Sequence, residues 1–490
     1  MAADDRSSLT RRELVARAAA VSLSLALPSL RSVPKAAAAT SVDPRILSLR
    51  RALRGAVITP ADPRYASARL AFDGLYDGIH PLAVAQPVDA ADVAAVVRWA
   101  QRTGVHIVAR SGGHSYGGYS STSGVVVDLS RLAGVRVTAG QAVVGAGARL
   151  GNIYDVLGRQ GVAIPAGTCP SVGIGGHALG GGFGLASRAW GLASDNVRSV
   201  QIVTADGKVV TADAQRAGDL YWACRGGGGG NFGIVTSFVF RTHPVSQGSY
   251  FIATWPWTQV EDVLQNYLQW APAAPDALGS VCRLATGPLG PTLQVFGQFL
   301  GTETGLKAVL ATLGPPAQKL TVGTSSWLDL VRRWAGCLGH TLPSCSTPGH
   351  QVFVGASDYI AKVPSQSQAA LFRSVVESRG TAPGALLVDS YGGAVNRVPA
   401  AATAFAHRDM RASIQYFATG DAASARAWVN ASRAKLAPAT SGDAYVNYID
   451  PDLRNWQQAY YGPNLARLQR VKRRYDPHSL FHFAQSIRPA

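Results

Sequence analysis

The chain has two parts that differ in the spacing of their apolar and polar residues. In the first part, residues 81–115 read as a strand, an amphipathic helix and a second strand that runs into a glycine-rich loop. Asp89 or Asp92 can cap the start of this helix, and Gly104 can end it. The pattern therefore predicts a β-α-β unit near the beginning of the folded chain.

Shorter apolar runs predict further helices and strands in the first part. A helix is predicted for "DPRILSLRRAL", and strands for "GVVVDLSRL", "AVVGAGARL" and "VRSVQIVTADGKVVTAD". The last of these is expected to be a hairpin that turns at Asp206 and Gly207. Together these elements predict an α+β domain over residues 46–245.

Beyond this point the strands become longer and aromatic residues more frequent. Strands are predicted for "YFIATWPW", "LQVFGQFLG" and "ALLVDSYGGAV", and a helix for "FRSVVES". Residues 246–440 are thus expected to form a second domain whose sheet covers the first. The tail over residues 441–490 contains "YYGPNLARLQRVKRRYDPHSLFHFAQSI", which predicts a helix followed by an extended end.

Composition supports this division. The chain has 490 residues, of which 47% are apolar and 15% charged, as expected for a folded protein with more than one hydrophobic core. Its formal net charge is +17, but the basic residues are dispersed and no nucleic-acid-binding motif accompanies them. The charge is interpreted as a surface property, so no nucleic-acid partner is expected.

The first 40 residues have the features of an export signal. Arg11 and Arg12 are followed by a weakly apolar run over 15–27 and then by small residues, which is typical of a twin-arginine signal. The alternative is a disordered tail with a chance pair of arginines. Because the run is too short to span a bilayer, secretion without integral membrane association is expected.

Five cysteines are present, so at least one is unpaired. Cys337 and Cys345 flank a turn-like segment and can form a local disulfide, or can remain two free thiols. Cys224 and Cys282 lie in apolar surroundings that are typical of core residues. Cys169 differs because it lies in a loop rich in glycine.

Three glycine-rich loops fall within the first domain. They read "ARSGGHSYGGYS", "PAGTCPSVGIGGHALGGGFG" and "GGGGGNFG". The last contains the spacing GxGxxG at Gly228, Gly230 and Gly233, but it precedes a strand rather than a helix, so the context of a Rossmann fingerprint is missing. Loops of this kind let the backbone approach phosphate groups closely, and the three together favour a dinucleotide.

Two other kinds of chemistry compete with this interpretation. His114, Cys169 and His177 could be imagined as metal ligands, but the paired spacing of zinc sites is absent and no metal is expected. A Cys–His nucleophile lacks a third group to orient it. His177 is expected to be structural.

Taken together, the motifs identify a family. The loops quoted above, with "YVNYID", "YYGPNLARL" and "FHFAQSI", resemble the berberine bridge enzyme-like flavoprotein oxidases, the bicovalent branch of the vanillyl-alcohol oxidase superfamily, from about Pro81 to Ile487. The resemblance implies a two-part PCMH-type FAD-binding domain, a substrate domain built on an antiparallel sheet covered by helices, and a C-terminal segment that returns to the FAD domain.

The resemblance also implies FAD that is covalently attached to His114 and Cys169, with surrounding residues holding its pyrophosphate and ring edge. Val172 matches the family position that gates oxygen, where a small residue accompanies oxidases. The remaining residues implied for FAD binding are Arg110, Ser111, Gly112, Gly113, Ser115, Gly117, Gly173, Gly175, Gly176, Gly180, Gly230, Gly233 and Ile234.

On the substrate side, the resemblance implies that Tyr448 acts as base while Gln415 and Asp389 line the cavity. A hydroxyl carbon would lose hydride to flavin N5, and O2 would be reduced to hydrogen peroxide. The expected substrate is a sugar or oligosaccharide, or a glycosylated metabolite. Alternatives are a tailoring oxidase that closes a ring or dehydrogenates an aromatic natural product, and a flavin-free basic binding protein. The sequence leaves the oligomeric state open.

Overall fold

The computed structural model describes residues 43–347 and 349–490, and the expected export signal at residues 1–40 lies outside these ranges. In the first region the strands are β1 (Ala56–Ile58), β2 (Ala83–Gln86), β3 (Ile107–Arg110), β4 (Val125–Asp128), β5 (Val135–Thr138), β6 (Gln141–Gly145), β7 (Val162–Ala163), β8 (Val197–Val203), β9 (Val209–Asp213), β10 (Ile234–Arg241) and β11 (His243–Pro244). Its helices are α1 (Pro44–Ala52), α2 (Tyr65–Ala68), α3 (Ala90–Thr103), α4 (Leu150–Gly158), α5 (Ile174–Leu179), α6 (Ser187–Trp190) and α7 (Gly218–Ala223).

These strands form two main sheets. One has the order β1-β2-β4-β3, with β2, β4 and β3 parallel, and the other has the antiparallel order β5-β6-β10-β8-β9. The predicted hairpin at Asp206 and Gly207 is confirmed by the pairing of β8 with β9. The α+β class is confirmed as well.

The predicted β-α-β unit is confirmed, and the structure decides between its two possible caps. The Asp89 side chain accepts from the Asp92 amide, so Asp89 caps α3, and Gly104 ends the helix with φ of +65°. Asp92 is buried instead, where its carboxylate accepts from the amides of Arg54 and Gly55. This carboxylate ties the turn between α1 and β1 to the first turn of α3.

The second region begins directly after β11. Its strands are β12 (Gln247–Trp255), β13 (Leu278–Thr286), β14 (Thr292–Phe299), β15 (Lys319–Ser326), β16 (Phe353–Ile360), β17 (Gly384–Ser390) and β18 (Ala412–Thr419). Its helices are α8 (Val260–Ala273), α9 (Glu303–Leu310), α10 (Trp327–Trp334), α11 (Leu342–Cys345), α12 (Gln366–Glu377), α13 (Gly393–Arg397) and α14 (Ala422–Leu436). The C-terminal segment, residues 441–490, contains α15 (Trp456–Tyr461) and α16 (Leu465–Tyr475).

The strands of the second region form one antiparallel sheet, in the order β15-β12-β14-β13-β17-β18-β16. The helices α8, α12 and α14 cover one face, where buried residues such as Phe251, Tyr267, Phe372 and Ile414 form the main core. Because strand side chains alternate, the residues between them lie on the opposite face. That second face is only partly buried, and Asp389 and Gln294 lie on it.

Three predicted elements were too long. The strand in "AVVGAGARL" ends at Gly145, and α4 begins at Leu150. The strand in "ALLVDSYGGAV" ends at Ser390, before two glycines with positive φ. The single helix predicted for the tail is interrupted at Gly462, whose φ of +46° separates α15 from α16. In each case a glycine backbone stops an apolar pattern that continues beyond it.

The C-terminal segment packs on the first region. The buried ammonium of Lys472 pairs with Asp476 at 2.6 Å and donates to the carbonyl oxygens of Asn231 and Phe481. The Asn231 side chain accepts from the Ile487 amide at 2.8 Å. These contacts hold the glycine-rich loop before β10. In the described part of the chain, no helix has both the length and the apolar character needed to cross a bilayer.

Candidate active site

His114 and Cys169 lie on two loops that meet at one serine. His114 follows β3, and Cys169 lies between β7 and α5. The His114 Nε2 is 3.0 Å from the Ser171 hydroxyl, and the Cys169 sulfur is 3.5 Å from the same oxygen. The structure therefore brings together the two residues that the sequence predicts as FAD attachment points.

Glycine is required where these loops touch. A Cβ on Gly112 would lie 2.2 Å from the Gly173 nitrogen, and a Cβ on Gly173 would lie 2.1 Å from the Ser111 hydroxyl. The Ser111 hydroxyl donates to the Ala146 carbonyl at 2.6 Å and accepts from the Gly175 amide at 3.2 Å. At these positions glycine lets the two loops approach each other, and this contact fixes the separation of His114 and Cys169.

The His114 imidazole is buried and uncharged at neutral pH. Its ring stacks on Phe72 with centroids 3.9 Å apart. Burial, together with the positive charge of Arg149, lowers the pKa of His114 to about 3. At neutral pH the imidazole is therefore neutral and keeps a nitrogen lone pair for bond formation.

Cys169 is the one exposed free cysteine among the described residues. Cys337 and Cys345 form a disulfide, which resolves the alternative left open by the sequence. Cys224 and Cys282 are buried as predicted, and burial raises the pKa of the Cys224 thiol to about 12. Cys169 alone thus combines access with a position beside His114.

Two further glycines lie where the second glycine-rich loop meets the loop before β10. A Cβ on Gly176 would meet no atom within 4 Å, and one on Gly229 would have the Gly176 Cα, at 3.8 Å, as its nearest neighbour. The second glycine loop and the loop before β10 therefore come within contact distance at these two glycines, and the side of Gly176 on which a Cβ would stand is open. Exposed backbone beside an open edge is suited to the phosphates of a dinucleotide.

The other residues predicted for FAD binding differ in their contacts. Ser115 accepts from the Tyr119 amide within its own turn, and Ile234 is buried as the first residue of β10. A Cβ on Gly113 would contact Ala71 and Phe72 at 3.6 Å, and one on Gly230 would contact the Phe483 ring at 3.4 Å, while Val172 is half-buried and its amide donates to the Cys169 carbonyl. Packing against protein atoms accounts for the remaining glycines, namely Gly117, Gly175, Gly180 and Gly233.

The Arg110 side chain is fully occupied by contacts within the protein. Its guanidinium is buried, and every hydrogen bond it forms goes to the protein itself. The acceptors are the carbonyl oxygens of Ala68, Arg69, Leu70 and Ser120 and the hydroxyl of Ser121. Because its donors are used in this way, Arg110 holds the segment that carries Phe72 and leaves only backbone for a cofactor.

His177 has a structural position, as expected. Its Nε2 accepts from the Gly167 amide at 3.0 Å, and burial lowers its pKa to about 4. Its carbonyl accepts from the Asn447 side chain at 2.9 Å, next to Tyr448. Within the described ranges, no group of three or more His, Cys, Asp or Glu residues is arranged to hold a metal ion.

Tyr116 is the residue at the centre of the site that the sequence analysis did not single out. Its ring stacks on Tyr448 with centroids 5.1 Å apart and meets Phe353 edge-on at 4.8 Å. The Gln415 amide donates to its hydroxyl. The available signal was its place two residues after His114, within the same glycine-rich loop.

Cross-strand register places Asp389 and Gln415 on the same open face of the sheet. Asp389 of β17 lies opposite Ser413 of β18, two residues before Gln415. Asp389 is also opposite Val281, which in turn is opposite Phe296. The Phe296 ring stacks on Trp334 of α10 with centroids 5.5 Å apart. A row of side chains thus runs across the sheet from Asp389 to an aromatic pair.

The electrostatics distinguish the two candidate proton acceptors. Burial raises the pKa of Asp389 to about 7. Burial, the neighbouring Tyr116 and the Asp389 charge raise the pKa of Tyr448 well above its ordinary value. Near neutral pH, Asp389 therefore exists in both protonation states, whereas Tyr448 keeps its proton.

Comparisons with known proteins agree with this geometry. A model of the FAD binding domain matches residues 81–213, and a model described as berberine and berberine like matches residues 444–488. An uncharacterised FAD-linked oxidoreductase of Bacillus subtilis, YgaK, is 35% identical over 81% of this chain and 89% of its own. The xylooligosaccharide oxidase of Thermothelomyces thermophilus is 33% identical over 84% of this chain and 88% of its own.

Solved structures show the same architecture. The structure of BBE-like 1 from Physcomitrella patens superposes with a TM-score of 0.84 at 32% identity. It covers 90% of this chain and 98% of its own. Sequence and fold therefore agree over nearly the whole described chain.

Proposed function

Because the chain belongs to the berberine bridge enzyme-like family of FAD-linked oxidoreductases, with its PCMH-type FAD-binding fold, we propose that it is an exported carbohydrate oxidase with doubly attached FAD. We assign FAD binding to residues 46–245 and 441–490, and substrate binding to residues 246–440. The observation that carries the proposal is the meeting of His114 and Cys169 at Ser171, below a sheet face that carries Asp389 and Gln415.

His114 and Cys169 are the proposed attachment residues. A neutral imidazole and an exposed thiol are the nucleophiles that an electron-poor flavin ring accepts. The open backbone edges at Gly176 and Gly229 would hold the pyrophosphate. When bound, FAD supplies the hydride acceptor and, through O2, the route to hydrogen peroxide.

The chain's own residues would manage the proton of the substrate hydroxyl. In this proposal, the Tyr448 phenol binds the hydroxyl oxygen and the Asp389 carboxylate takes the proton, because, of these two groups, it is Asp389 whose pKa is near neutrality. Loss of hydride from carbon and of the proton from oxygen leaves a carbonyl product. Gln415 holds Tyr116, and Tyr116 in turn orients Tyr448 by stacking.

The open sheet face favours a carbohydrate as substrate. A row of mainly polar side chains crosses this face from strand to strand, each opposite the next. In order along the row, its members are Gln415, Leu387, Arg283, Gln294 and Thr254. The neighbouring row ends at the stacked Phe296 and Trp334. Alternating polar groups and aromatic rings bind sugar hydroxyls and pyranose faces, and one relative in the comparison is a xylooligosaccharide oxidase.

The first test is the colour and mass of the denatured protein. A yellow pellet after acid precipitation, with FAD mass on the peptides containing His114 and Cys169, would support double attachment. His114→Ala and Cys169→Ala should each leave one link. A colourless pellet would contradict covalent attachment and, if no flavin is released, would favour a basic binding protein.

The second test is peroxide formation with a panel of mono- and oligosaccharides. Oxygen-dependent peroxide production from sugars, absent in Asp389→Asn, would support a carbohydrate oxidase. Activity on aromatic aglycones alone would instead favour a tailoring oxidase. Export is tested separately by Arg11→Lys with Arg12→Lys, which should retain the protein in the cytoplasm if residues 1–40 are a twin-arginine signal.

A further inference from the structure

A cluster of charged side chains lies on the helix-covered face of the sheet of the second region. Arg433 of α14 donates from Nη1 to the Asp450 carboxylate at 2.9 Å and from Nε to the Asp358 carboxylate at 3.3 Å. Both aspartates are buried, and the Arg433 side chain is 16% exposed. Asp358 belongs to β16, whereas Asp450 belongs to the C-terminal segment. One guanidinium therefore joins two carboxylates that come from different parts of the chain.

Each end of this cluster lies next to a residue of the proposed site. Tyr416 follows Gln415 on β18, and its hydroxyl donates to the Asp358 carboxylate at 3.0 Å. At the other end, Asp450 is two residues after Tyr448. The cluster thus connects the strand that carries Gln415 with the loop that carries Tyr448.

The position of Tyr116 depends on both of these residues. The Gln415 amide donates to the Tyr116 hydroxyl, and the Tyr448 ring stacks on the Tyr116 ring with centroids 5.1 Å apart. Gln415 is fixed in the sheet, but Tyr448 comes from the C-terminal segment. Tyr116 can therefore contact both residues when the C-terminal segment is held at one position relative to the sheet.

Arg433 provides a buried link between the sheet and Asp450. The backbone of Asp450 is held within its own segment, because its amide donates to the Tyr460 hydroxyl at 2.8 Å and its carbonyl accepts from the Gln485 side chain at 2.7 Å. Its carboxylate is what reaches across to α14, through Arg433. This side-chain bond therefore sets where the segment lies against the second region.

Other contacts join the same two parts, but they differ in strength. The Ser357 hydroxyl accepts from the Tyr445 amide at 2.8 Å, and Arg426 of α14 pairs with Asp452 at 2.9 Å. Arg426 and Asp452 are each more than a third exposed, and exposed ion pairs contribute little. In a buried cluster, removal of one partner leaves charge that nothing compensates. Of the two ion pairs, we therefore expect that of Arg433 to constrain the segment more.

We propose that Arg433 is a positioning residue, which holds the loop of Tyr448 against the sheet so that the Tyr448 phenol stays stacked on Tyr116 and meets the substrate hydroxyl. Without Arg433, the carboxylates of Asp358 and Asp450 would be buried without a cation between them, and like charges so placed repel. Asp450 would then move away or take up a proton. The catalytic part of this inference rests on the proposed role of Tyr448, whereas the positional part does not.

The test compares two arginines that are packed among the same helices. Arg433→Met removes the link to Asp450. Arg379→Met is the matched control, because Arg379 is also buried but does not bond to the C-terminal segment. Its acceptors are the carbonyl oxygens of Pro383 and Thr419 and the hydroxyl of Ser424.

Crystal structures of the two flavin-loaded variants measure the position of Tyr448 directly. We expect Arg433→Met to lose the stacking of Tyr448 on Tyr116, and Arg379→Met to keep it. An unchanged stack in Arg433→Met would overturn the proposal, whatever the substrate proves to be.

The kinetic test separates the two half-reactions of the bound flavin. Arg433→Met should slow anaerobic reduction by a sugar about tenfold or more, since small misplacements of a group at the reacting centre have large effects on rate. Reoxidation by O2 should stay within about twofold of the natural rate, because Tyr448 is proposed to contact the substrate and not O2. Arg379→Met should change neither rate by more than about twofold.

Equal slowing of reduction by the two variants would indicate a general loss of packing, and would overturn the positioning role. Slowing of both half-reactions alike in Arg433→Met would overturn it as well. If no sugar reduces the natural protein, the proposed carbohydrate oxidase fails, and the crystal structures still decide whether Arg433 positions Tyr448.

Asp450→Ala provides a second variant in case Arg433→Met does not fold. It breaks the same link but leaves Arg433 paired with Asp358, so no buried charge loses its partner. It should slow reduction by a similar factor, and combination with Arg433→Met should slow it little further. Reduction at the natural rate in Asp450→Ala would overturn the proposal.

Discussion

The two sides of the site are built by opposite means. On the flavin side, the geometry is set mainly by backbone, because Gly112 and Gly173 let two loops touch and Gly176 leaves an open edge. On the substrate side, side chains such as Asp389 and Gln415 project from a rigid sheet whose other face is a large core. The flavin side should therefore be sensitive to any added atom, and the substrate side to the chemistry of particular groups.

The largest effect is expected from Gly112→Ala. Its Cβ would lie 2.2 Å from the Gly173 nitrogen, and backbone cannot move aside as a flexible side chain can. We expect a loss of about 3 kcal/mol or more in the free energy of unfolding, with loss of covalent flavin. Thermal unfolding and the flavin absorbance of the purified protein measure both.

Gly176→Ala is the matched control, because its Cβ would meet no protein atom. It should keep the unfolding temperature while weakening the incorporation of flavin, since it narrows the proposed pyrophosphate space. Equal destabilisation by the two variants would contradict the distinction between loop contact and ligand space.

Asp389→Asn tests the chemistry of the substrate side. We expect about a hundredfold loss of kcat, a typical value for removal of a general base. The natural protein should gain activity as the pH rises through about 7, where Asp389 ionises, and the variant should lack this rise. A pH profile with the same rise in the variant would assign the proton to another group.

Asp389→Asn should also change how folding stability depends on pH. The folded pKa of Asp389 is raised to about 7 from an ordinary value of 3.8, so the folded state keeps a proton that the unfolded chain loses. Stability is therefore lost as the pH rises from about 4 to 7. Asp389→Asn should raise the unfolding temperature at pH 8 relative to the natural protein, and much less at pH 4.

Tyr116→Phe should have a smaller effect. The ring that stacks on Tyr448 remains, while the hydroxyl that accepts from Gln415 is lost. One hydrogen bond of about 1 kcal/mol corresponds to roughly a fivefold loss of kcat/KM. Gln415→Leu should cost a similar factor, and the double variant little more than either, if the two residues act through this bond.

The smallest effect is expected from Trp334→Ala, because Trp334 is remote from Asp389. Phe296 lies two strands from Asp389, about 10 Å across the sheet. Loss of its stacked partner should raise KM for longer oligosaccharides about threefold and leave kcat and the monosaccharide KM nearly unchanged. A fall in kcat with the monosaccharide would contradict a remote binding role.

The contrast also explains what the sequence could and could not predict. His114 and Cys169 were predictable because short motifs mark them, and the alternation of the β18 strand correctly separated Gln415 from Ile414. The contact between Gly112 and Gly173 was not predictable, because it joins loops that are distant in sequence. The sequence motifs alone assign these glycines to the cofactor.

Arg110 and Tyr116 both show that a local motif does not reveal which way a side chain faces. Arg110 belongs to the motif, yet its buried guanidinium bonds to the segment that carries Phe72. Tyr116 belongs to the same motif, yet its importance depends on Tyr448, which comes from the far end of the chain. Which side of a loop a residue faces is decided by tertiary packing, and local spacing does not encode it.

The bond from the Ile487 amide to Asn231 has a consequence for biosynthesis. The loop at Gly229 and Gly230 is held by a residue that follows Asn231 by 256 positions, so the nascent chain cannot complete this loop until Ile487 has left the ribosome. The core strands of both regions are all made before that point. A truncation between α14 and Ile487 should therefore keep those strands but leave the loop without its support.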